Sequence, residues 1–156
     1  MLGRRLLHIG FTIGVATASL LGLSSAASAA PSGFNTASVH GGGTGAVGAQ
    51  VLGGISWYNR SVTLTSVRFY IAPRECATFT VEAWQGGTRV DSFDVGDQCS
   101  SSSAGRWISY GNIQLDGSGI SGGITEVVID VYDRTHAGHA WADCPRSASS
   151  CFNYPR

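Results

Sequence analysis

The sequence contains no lysine and little charge of either sign. All ten of its basic residues are arginine, ten acidic residues balance them, and charged residues make up only 13% of the chain. A protein that binds nucleic acid through phosphate contacts carries a basic patch or a high isoelectric point, so nucleic acid is not an expected partner. The hydrophobic content of 43% also excludes a disordered charged tail, because that fraction can build a core.

Signatures of several catalytic and metal sites are missing as well. The four cysteines include no C-x-x-C pair, which argues against a thiolate zinc site. The serine of Gly117-Ser118-Gly119 follows Asp116 in a predicted turn, not in the strand-to-helix elbow of a serine hydrolase. The sequence therefore names no catalytic residue, and no cofactor is expected.

The first 29 residues have the three parts of a secretory signal peptide. Arg4 and Arg5 form a positive start, residues 6–23 are largely apolar, and Ala27-Ser28-Ala29 places small residues at a cleavage site. We expect a signal helix over residues 1–29 that is removed. Residues 30–156 would then be a secreted, extracellular protein with no membrane span.

The four cysteines all follow the signal segment. An even number of cysteines in an exported chain indicates disulfide bonds, and four cysteines allow three pairings. We favour a Cys76–Cys99 bond because these residues bracket a predicted hairpin. We favour a Cys144–Cys151 bond because these residues bracket a short loop rich in proline and serine.

The mature chain has the pattern of an all-β protein. From Gly45 onward, short stretches of alternating hydrophobic residues are separated by turn residues, which is typical of an antiparallel β-sandwich. The expected strands cover residues 45–52, 55–58, 61–71, 77–84, 89–95, 107–115 and 124–132. A disulfide-stabilised sandwich of immunoglobulin-like or jelly-roll-like type is the predicted fold.

Three details complete this fold prediction. The hydrophobic phase of residues 61–71 switches near Ser66, which predicts a β-bulge, because a one-residue slip exchanges the two faces of a strand. The pair Gly86-Gly87 predicts a hairpin turn. Residues 30–44 predict a flexible N-terminal segment, and residues 45–156 a single domain whose last part, from residue 133 onward, is irregular.

A dense polar cluster follows the last predicted strand. Imidazole and carboxylate groups are suitable ligands for zinc or another divalent ion. The candidate metal ligands are Asp133, His136, His139 and Asp143. The alternative is a set of surface histidines beside turn aspartates, because the H-x-x-H spacing points to a metal mainly on a helix.

Aromatic residues are concentrated at the ends of predicted strands and in loops. Exposed rings offer a large contact area at low entropic cost, so they can form platforms for sugars or partner proteins. The alternative for any single ring is core packing. The candidate ligand-binding residues are Trp57, Tyr58, Trp84, Trp107, Tyr110 and Trp141.

Three short motifs carry a resemblance to known proteins. They are Ser56-Trp57-Tyr58-Asn59-Arg60-Ser61-Val62, Leu115-Asp116-Gly117-Ser118-Gly119 and Gly122-Gly123-Ile124. Together with the lysine-free composition, they resemble a group of small secreted actinobacterial proteins without an assigned activity. The resemblance implies an exported β-domain and transfers no catalytic residue.

These observations favour a secreted binding module without catalytic activity. Its ligand would be a polysaccharide, the cell envelope or an extracellular protein. A second hypothesis is a small extracellular hydrolase, assisted by a metal at the candidate ligands. A third is a secreted protease inhibitor that presents the loop between Cys144 and Cys151.

Overall fold

The computed structural model describes residues 29–40 and 45–155. Almost all of the predicted signal peptide, residues 1–28, lies outside these ranges, and so does the predicted signal helix. The described part of the chain is all-β and contains no helix, which confirms the predicted fold class. Within the same residues, no helix is long and apolar enough to cross a membrane.

The described residues form ten strands. They are β1 (Gly33–Val39), β2 (Val47–Trp57), β3 (Ser61–Ile71), β4 (Cys76–Gln85), β5 (Thr88–Asp94), β6 (Gln98–Cys99), β7 (Arg106–Asp116), β8 (Glu126–Asp133), β9 (Gly138–Pro145) and β10 (Phe152–Pro155).

The strands form two antiparallel sheets that pack face to face. The four-stranded sheet has the order β1-β2-β3-β7. The six-stranded sheet has the order β10-β9-β8-β4-β5, and the short β6 pairs with the same edge of β4 as β5 does. The predicted antiparallel sandwich is therefore confirmed.

Alternating side chains of both sheets fill the space between them. In β4, the inward residues Ala77, Phe79, Val81 and Ala83 are fully or almost fully buried, and β8 repeats this alternation along its whole length. Phe79 meets Phe69 of β3 edge-to-face at a centroid distance of 4.9 Å. Every second residue of these strands thus points into the core, as strand geometry requires.

The predicted local irregularities in the strands are present. Ser66 has a φ of 53°, and the pairing of β3 with β7 shifts on both sides of Val67, so the predicted bulge is confirmed. Gly86 and Gly87 have φ values of 53° and 85° and form the turn between β4 and β5. Both positions need the left-handed conformation that glycine adopts at low cost.

Two segments differ from the sequence prediction because most of their inward residues are polar or small. The pattern of residues 30–44 predicts flexibility, yet β1 forms there and turns Thr36 and Ser38 inward. The pattern after residue 133 predicts irregular structure, yet β9 turns Gly138, Ala140 and Ala142 inward. Polar and small inward residues give no hydrophobic alternation for a pattern to detect.

Both favoured disulfide bonds are formed. Cys76 pairs with Cys99, and Cys144 pairs with Cys151, so the predicted connectivity is confirmed. The first bond links the start of β4 to β6. The second closes the connection between β9 and β10. Two disulfides are typical of proteins that mature in an oxidising compartment outside the cytosol.

Candidate functional site

Four titratable side chains meet at one end of the sandwich. His40 follows β1 of the four-stranded sheet, and Glu75 lies in the connection from β3 to β4. Asp133 ends β8, and His136 lies in the turn between β8 and β9. We call these four residues the end cluster. It brings together segments from both sheets that are far apart in the sequence.

Local backbone structure holds the acidic members of the end cluster in place. Asp133 accepts hydrogen bonds at Oδ1 from the backbone N–H groups of Thr135 and His136, at 2.8 and 3.2 Å. Glu75 precedes the disulfide-bonded Cys76, and its carbonyl oxygen accepts a hydrogen bond from the N–H of Ser100 at 2.8 Å. Both carboxylates therefore sit on turns whose geometry is fixed by other contacts.

The ligating atoms of the end cluster lie close together. His40 Nε2 is 3.1 Å from Glu75 Oε2 and 3.3 Å from Asp133 Oδ2. His136 Nδ1 is 3.6 Å from Glu75 Oε2 and 3.3 Å from Asp133 Oδ2. All four of these atoms lie within 4.8 Å of one another. This arrangement could hold one metal ion between two imidazoles and two carboxylates.

The four predicted metal ligands lie in two different parts of the structure. Asp133 and His136 belong to the end cluster. His139 and Asp143 lie on the outer face of the six-stranded sheet, because β9 turns its alternate residues inward. The predicted set is therefore not one site. A strand places neighbouring positions on opposite faces, whereas the prediction assumed a loop.

Sequence reasoning missed His40 and Glu75. They are 35 residues apart in the chain, and neither stands near another histidine or acidic residue in the sequence. His40 lies in a segment whose composition predicts flexibility. Only the pairing of β1 with β2, and the position of the turn before Cys76, bring these two residues together.

A second candidate site lies on the outer face of the six-stranded sheet. A shallow depression of about 300 Å³ is lined by Val128 and Asp130 of β8 and by His139 and Trp141 of β9. The His139 Nε2 atom is 2.6 Å from Asp130 Oδ2, so the pair shares a hydrogen bond. We call these four residues the outer-face depression.

Aromatic rings extend the outer-face depression towards the sheet edge. Trp141 stacks on Tyr154 of the edge strand β10 at a centroid distance of 5.2 Å and an interplanar angle of 21°. The Trp141 ring also lies 5.4 Å from the His139 ring, and Tyr132 meets His139 at 6.2 Å. Rings from three adjacent strands therefore form a continuous strip on this face.

The other candidate aromatic residues are spread over separate surfaces. Trp107 is 42% exposed on the outer face of the four-stranded sheet, where it contacts Tyr70 and lies under the Arg68 guanidinium at 4.7 Å. Trp84 is half-buried on the six-stranded sheet and donates a hydrogen bond from Nε1 to Glu82 at 3.2 Å. These two tryptophans therefore face opposite sides of the sandwich.

The remaining three aromatics divide between core and surface. Trp57 packs against the core and donates a hydrogen bond from Nε1 to the Pro31 carbonyl at 2.7 Å. Tyr110 packs on Phe79, and its partial burial raises the pKa of its hydroxyl. Tyr58 is 54% exposed beside the turn into β3. The six predicted residues therefore do not form one platform.

Two carboxyl groups, those of Glu126 and Asp143, lie together on the same outer face. A hydrogen bond between Glu126 and Asp143, helped by burial and by the Asp143 charge, raises the pKa of Glu126 from 4.5 to about 7. Trp84 stands opposite Glu126 on the neighbouring strand. The pair is thus a local group whose charge changes near neutral pH.

We expect this pair to make the stability of the protein depend on pH. Because the pKa of Glu126 is about 7 in the folded state and 4.5 ordinarily, the folded state binds more protons between these values. The free energy of unfolding should therefore fall as the pH rises from 4.5 to 7. The Glu126→Gln variant should lose this slope, because glutamine still donates a hydrogen bond but does not ionise.

Urea unfolding at a series of pH values measures this effect. The wild type and the Glu126→Gln variant should have the same denaturant dependence, so that their midpoints can be compared directly. Parallel curves for the two proteins between pH 4.5 and 7 would contradict the assignment.

Comparisons with known proteins identify no relative of this chain. The chain matches no protein-family model, and no curated protein and no solved structure is significantly similar to it.

Proposed function

We propose that the protein is a secreted binding module that recognises a polysaccharide through the outer-face depression. The observation that carries this proposal is the combination of a tryptophan ring, an apolar floor and a hydrogen-bonded His–Asp pair in one open depression. Export through the predicted signal peptide is part of the proposal, and the two disulfides support it.

The chemistry of the outer-face depression suits a sugar ring. One face of a pyranose carries mainly C–H groups, which pack on an aromatic ring such as Trp141, while its hydroxyls need acceptors and donors at the rim. Asp130 offers carboxylate oxygens and His139 a ring nitrogen. The volume of about 300 Å³ lies at the lower end for small-ligand sites, which fits one unit of a longer chain lying across the sheet.

The sheet beneath the outer-face depression is well packed. β8 lies between β9 and β4, and its inward residues Val127, Ile129 and Val131 are fully buried. The Cys144–Cys151 bond closes the hairpin that carries Trp141 and Tyr154. A ligand would therefore meet side chains that are already in position, which lowers the entropic cost of binding.

We expect Trp141→Ala to weaken retention on insoluble glycans by about tenfold or more, as truncation of a central aromatic residue typically does. Pull-down on chitin and microcrystalline cellulose, followed by a glycan array, provides the measurement. Trp141→Phe should retain part of the binding because it keeps a ring. The Asp130→Asn and His139→Gln variants should each bind more weakly than the wild type.

Trp107→Ala is the matched control for the glycan experiment. It removes an exposed tryptophan from the opposite sheet, so retention should stay at the wild-type level. The proposal is overturned if pull-down and array are both blank for the wild type. It is also overturned if Trp107→Ala and Trp141→Ala reduce retention equally.

A further inference from the structure

We infer that the end cluster, His40, Glu75, Asp133 and His136, binds one divalent transition-metal ion, and that Zn²⁺ fits it best. This inference is independent of the proposed glycan site, which lies on the outer face of the sheet. Neutral imidazoles and carboxylates suit Zn²⁺ and its neighbours in the first transition row, whereas Ca²⁺ and Mg²⁺ prefer oxygen ligands alone.

Four of the six distances between ligand atoms in the end cluster are close to those of a tetrahedral site. Zinc bonds to nitrogen and oxygen are about 2.0–2.1 Å long, so the ligand atoms of a regular tetrahedron are about 3.3–3.4 Å apart. The four nitrogen–oxygen distances between the histidines and the carboxylates are 3.1, 3.3, 3.3 and 3.6 Å. The side chains are thus already spaced for a common ion.

A buried oxygen atom points into the end cluster without a hydrogen bond. The Asp133 side chain is 0% exposed, and its Oδ2 atom has no hydrogen-bond partner among the described residues. It nevertheless lies 3.3 Å from His40 Nε2 and 3.3 Å from His136 Nδ1. A buried carboxylate oxygen is costly unless it is paired or coordinates a metal, and coordination would satisfy this one.

The charges of the end cluster also suit one divalent ion. Its two carboxylates carry two negative charges, and the Glu75 and Asp133 side chains are only 10% and 0% exposed. The ring centroids of His40 and His136 are 3.9 Å apart, so both imidazoles border the same small space. A divalent cation between two neutral imidazoles and two carboxylates balances the charge.

The backbone of β2 leaves space next to the end cluster. Gly48 is buried, and a Cβ atom there would collide with Asp133 Oδ2 and approach His40 Nε2 to 2.8 Å. The pairing of β1 with β2 is irregular at this point, between Ser38 and Val39. A glycine at position 48 therefore allows Asp133 and His40 to take up their positions in the end cluster.

Equilibrium dialysis of the folded, disulfide-bonded protein against Zn²⁺, followed by metal analysis, tests the inference. We expect one Zn²⁺ per chain and a melting temperature that rises with the Zn²⁺ concentration. Co²⁺ should give the strong visible absorption of a four-coordinate site, and Ca²⁺ and Mg²⁺ should not compete. His136→Gln and His40→Gln should each weaken Zn²⁺ binding by about 100-fold or more, because loss of an outer-shell partner already costs 10–100-fold.

The matched control for the metal experiment is His139→Gln. His139 also faces a carboxylate, Asp130, but on the outer face of the sheet, so its loss should leave Zn²⁺ affinity within about twofold. His136 is 45% exposed, so its substitution should leave the fold intact, and a circular dichroism spectrum checks this. Absence of stoichiometric Zn²⁺ binding overturns the inference. So does equal weakening by His139→Gln and His136→Gln.

Discussion

Replacing Phe79 with alanine is expected to lower the free energy of unfolding by about 3–5 kcal/mol, the usual cost of truncating a buried aromatic side chain. Phe79 lies on β4 and is only 1% exposed. Its ring contacts Phe69 of β3 at 4.9 Å, Tyr110 of β7 at 5.2 Å and Phe93 of β5 at 6.2 Å. Its removal would open a cavity where the two sheets meet, and the surrounding rings can fill that cavity only partly.

Chemical denaturation with the disulfides intact measures this effect. The matched control is Phe152→Ala, which truncates a phenylalanine that is 49% exposed on the edge strand β10. Surface substitutions usually change stability by no more than about 0.5 kcal/mol. A loss below about 1 kcal/mol for Phe79→Ala would show that the aromatic contacts between the sheets are not the centre of the core.

The strands that the sequence predicts best are those whose inward residues are large and apolar. β8 alternates Val127, Ile129 and Val131 with outward residues, and the near-continuous apolar run of residues 127–129 predicts its central position. The bulge at Ser66 is also predictable, because an apolar strand can change phase and keep both halves buried only if an extra residue is inserted.

The hydrophobic pattern of the sequence does not predict β1 and β9, and the cause is physical. Their inward residues include Ser38, Ala140 and Ala142, and β1 packs closely across the sandwich against β9. Small side chains allow the sheets to approach at this edge, but they carry little hydrophobic signal. Ser38 satisfies its buried hydroxyl by accepting a hydrogen bond from the Ala49 N–H at 3.1 Å.

The residues of the end cluster differ in the same way. Some are brought together by the local sequence, and others only by strand pairing. Asp133 and His136 stand three residues apart, so the sequence could place them in one turn. His40 and Glu75 join them only through strand pairing, which no local pattern encodes. His139 is close in sequence to both, yet the alternation of β9 turns it to the outer face.

Each disulfide supports one of the two candidate sites. The Cys76–Cys99 bond begins one residue after Glu75 of the end cluster, and the Cys76 N–H donates a hydrogen bond to the Thr135 hydroxyl at 2.9 Å, in the turn that carries His136. The Cys144–Cys151 bond closes the hairpin that places Tyr154 beside Trp141. The two sites can therefore be perturbed separately through their nearest bond.

The Cys76→Ala/Cys99→Ala double variant is expected to lose about 3.4 kcal/mol of stability, the value for opening a loop of this length in the chain-entropy description. The bond spans 23 residues, against 7 for the other bond, and Cys99 is exposed, so little packing is lost with it. Denaturant unfolding of the double variant and the wild type gives the difference directly. A loss below about 1 kcal/mol would contradict loop closure as the source of the stability.

The same double variant should affect the two candidate sites differently. Below its melting temperature it should bind Zn²⁺ more weakly than the wild type, because Glu75 loses the covalent anchor next to it. Its retention on glycans should be unchanged, because the outer-face depression lies on β8 and β9, which the Cys144–Cys151 bond still holds. Loss of glycan retention together with Zn²⁺ affinity, in a protein that remains folded, would mean that the two sites depend on one another.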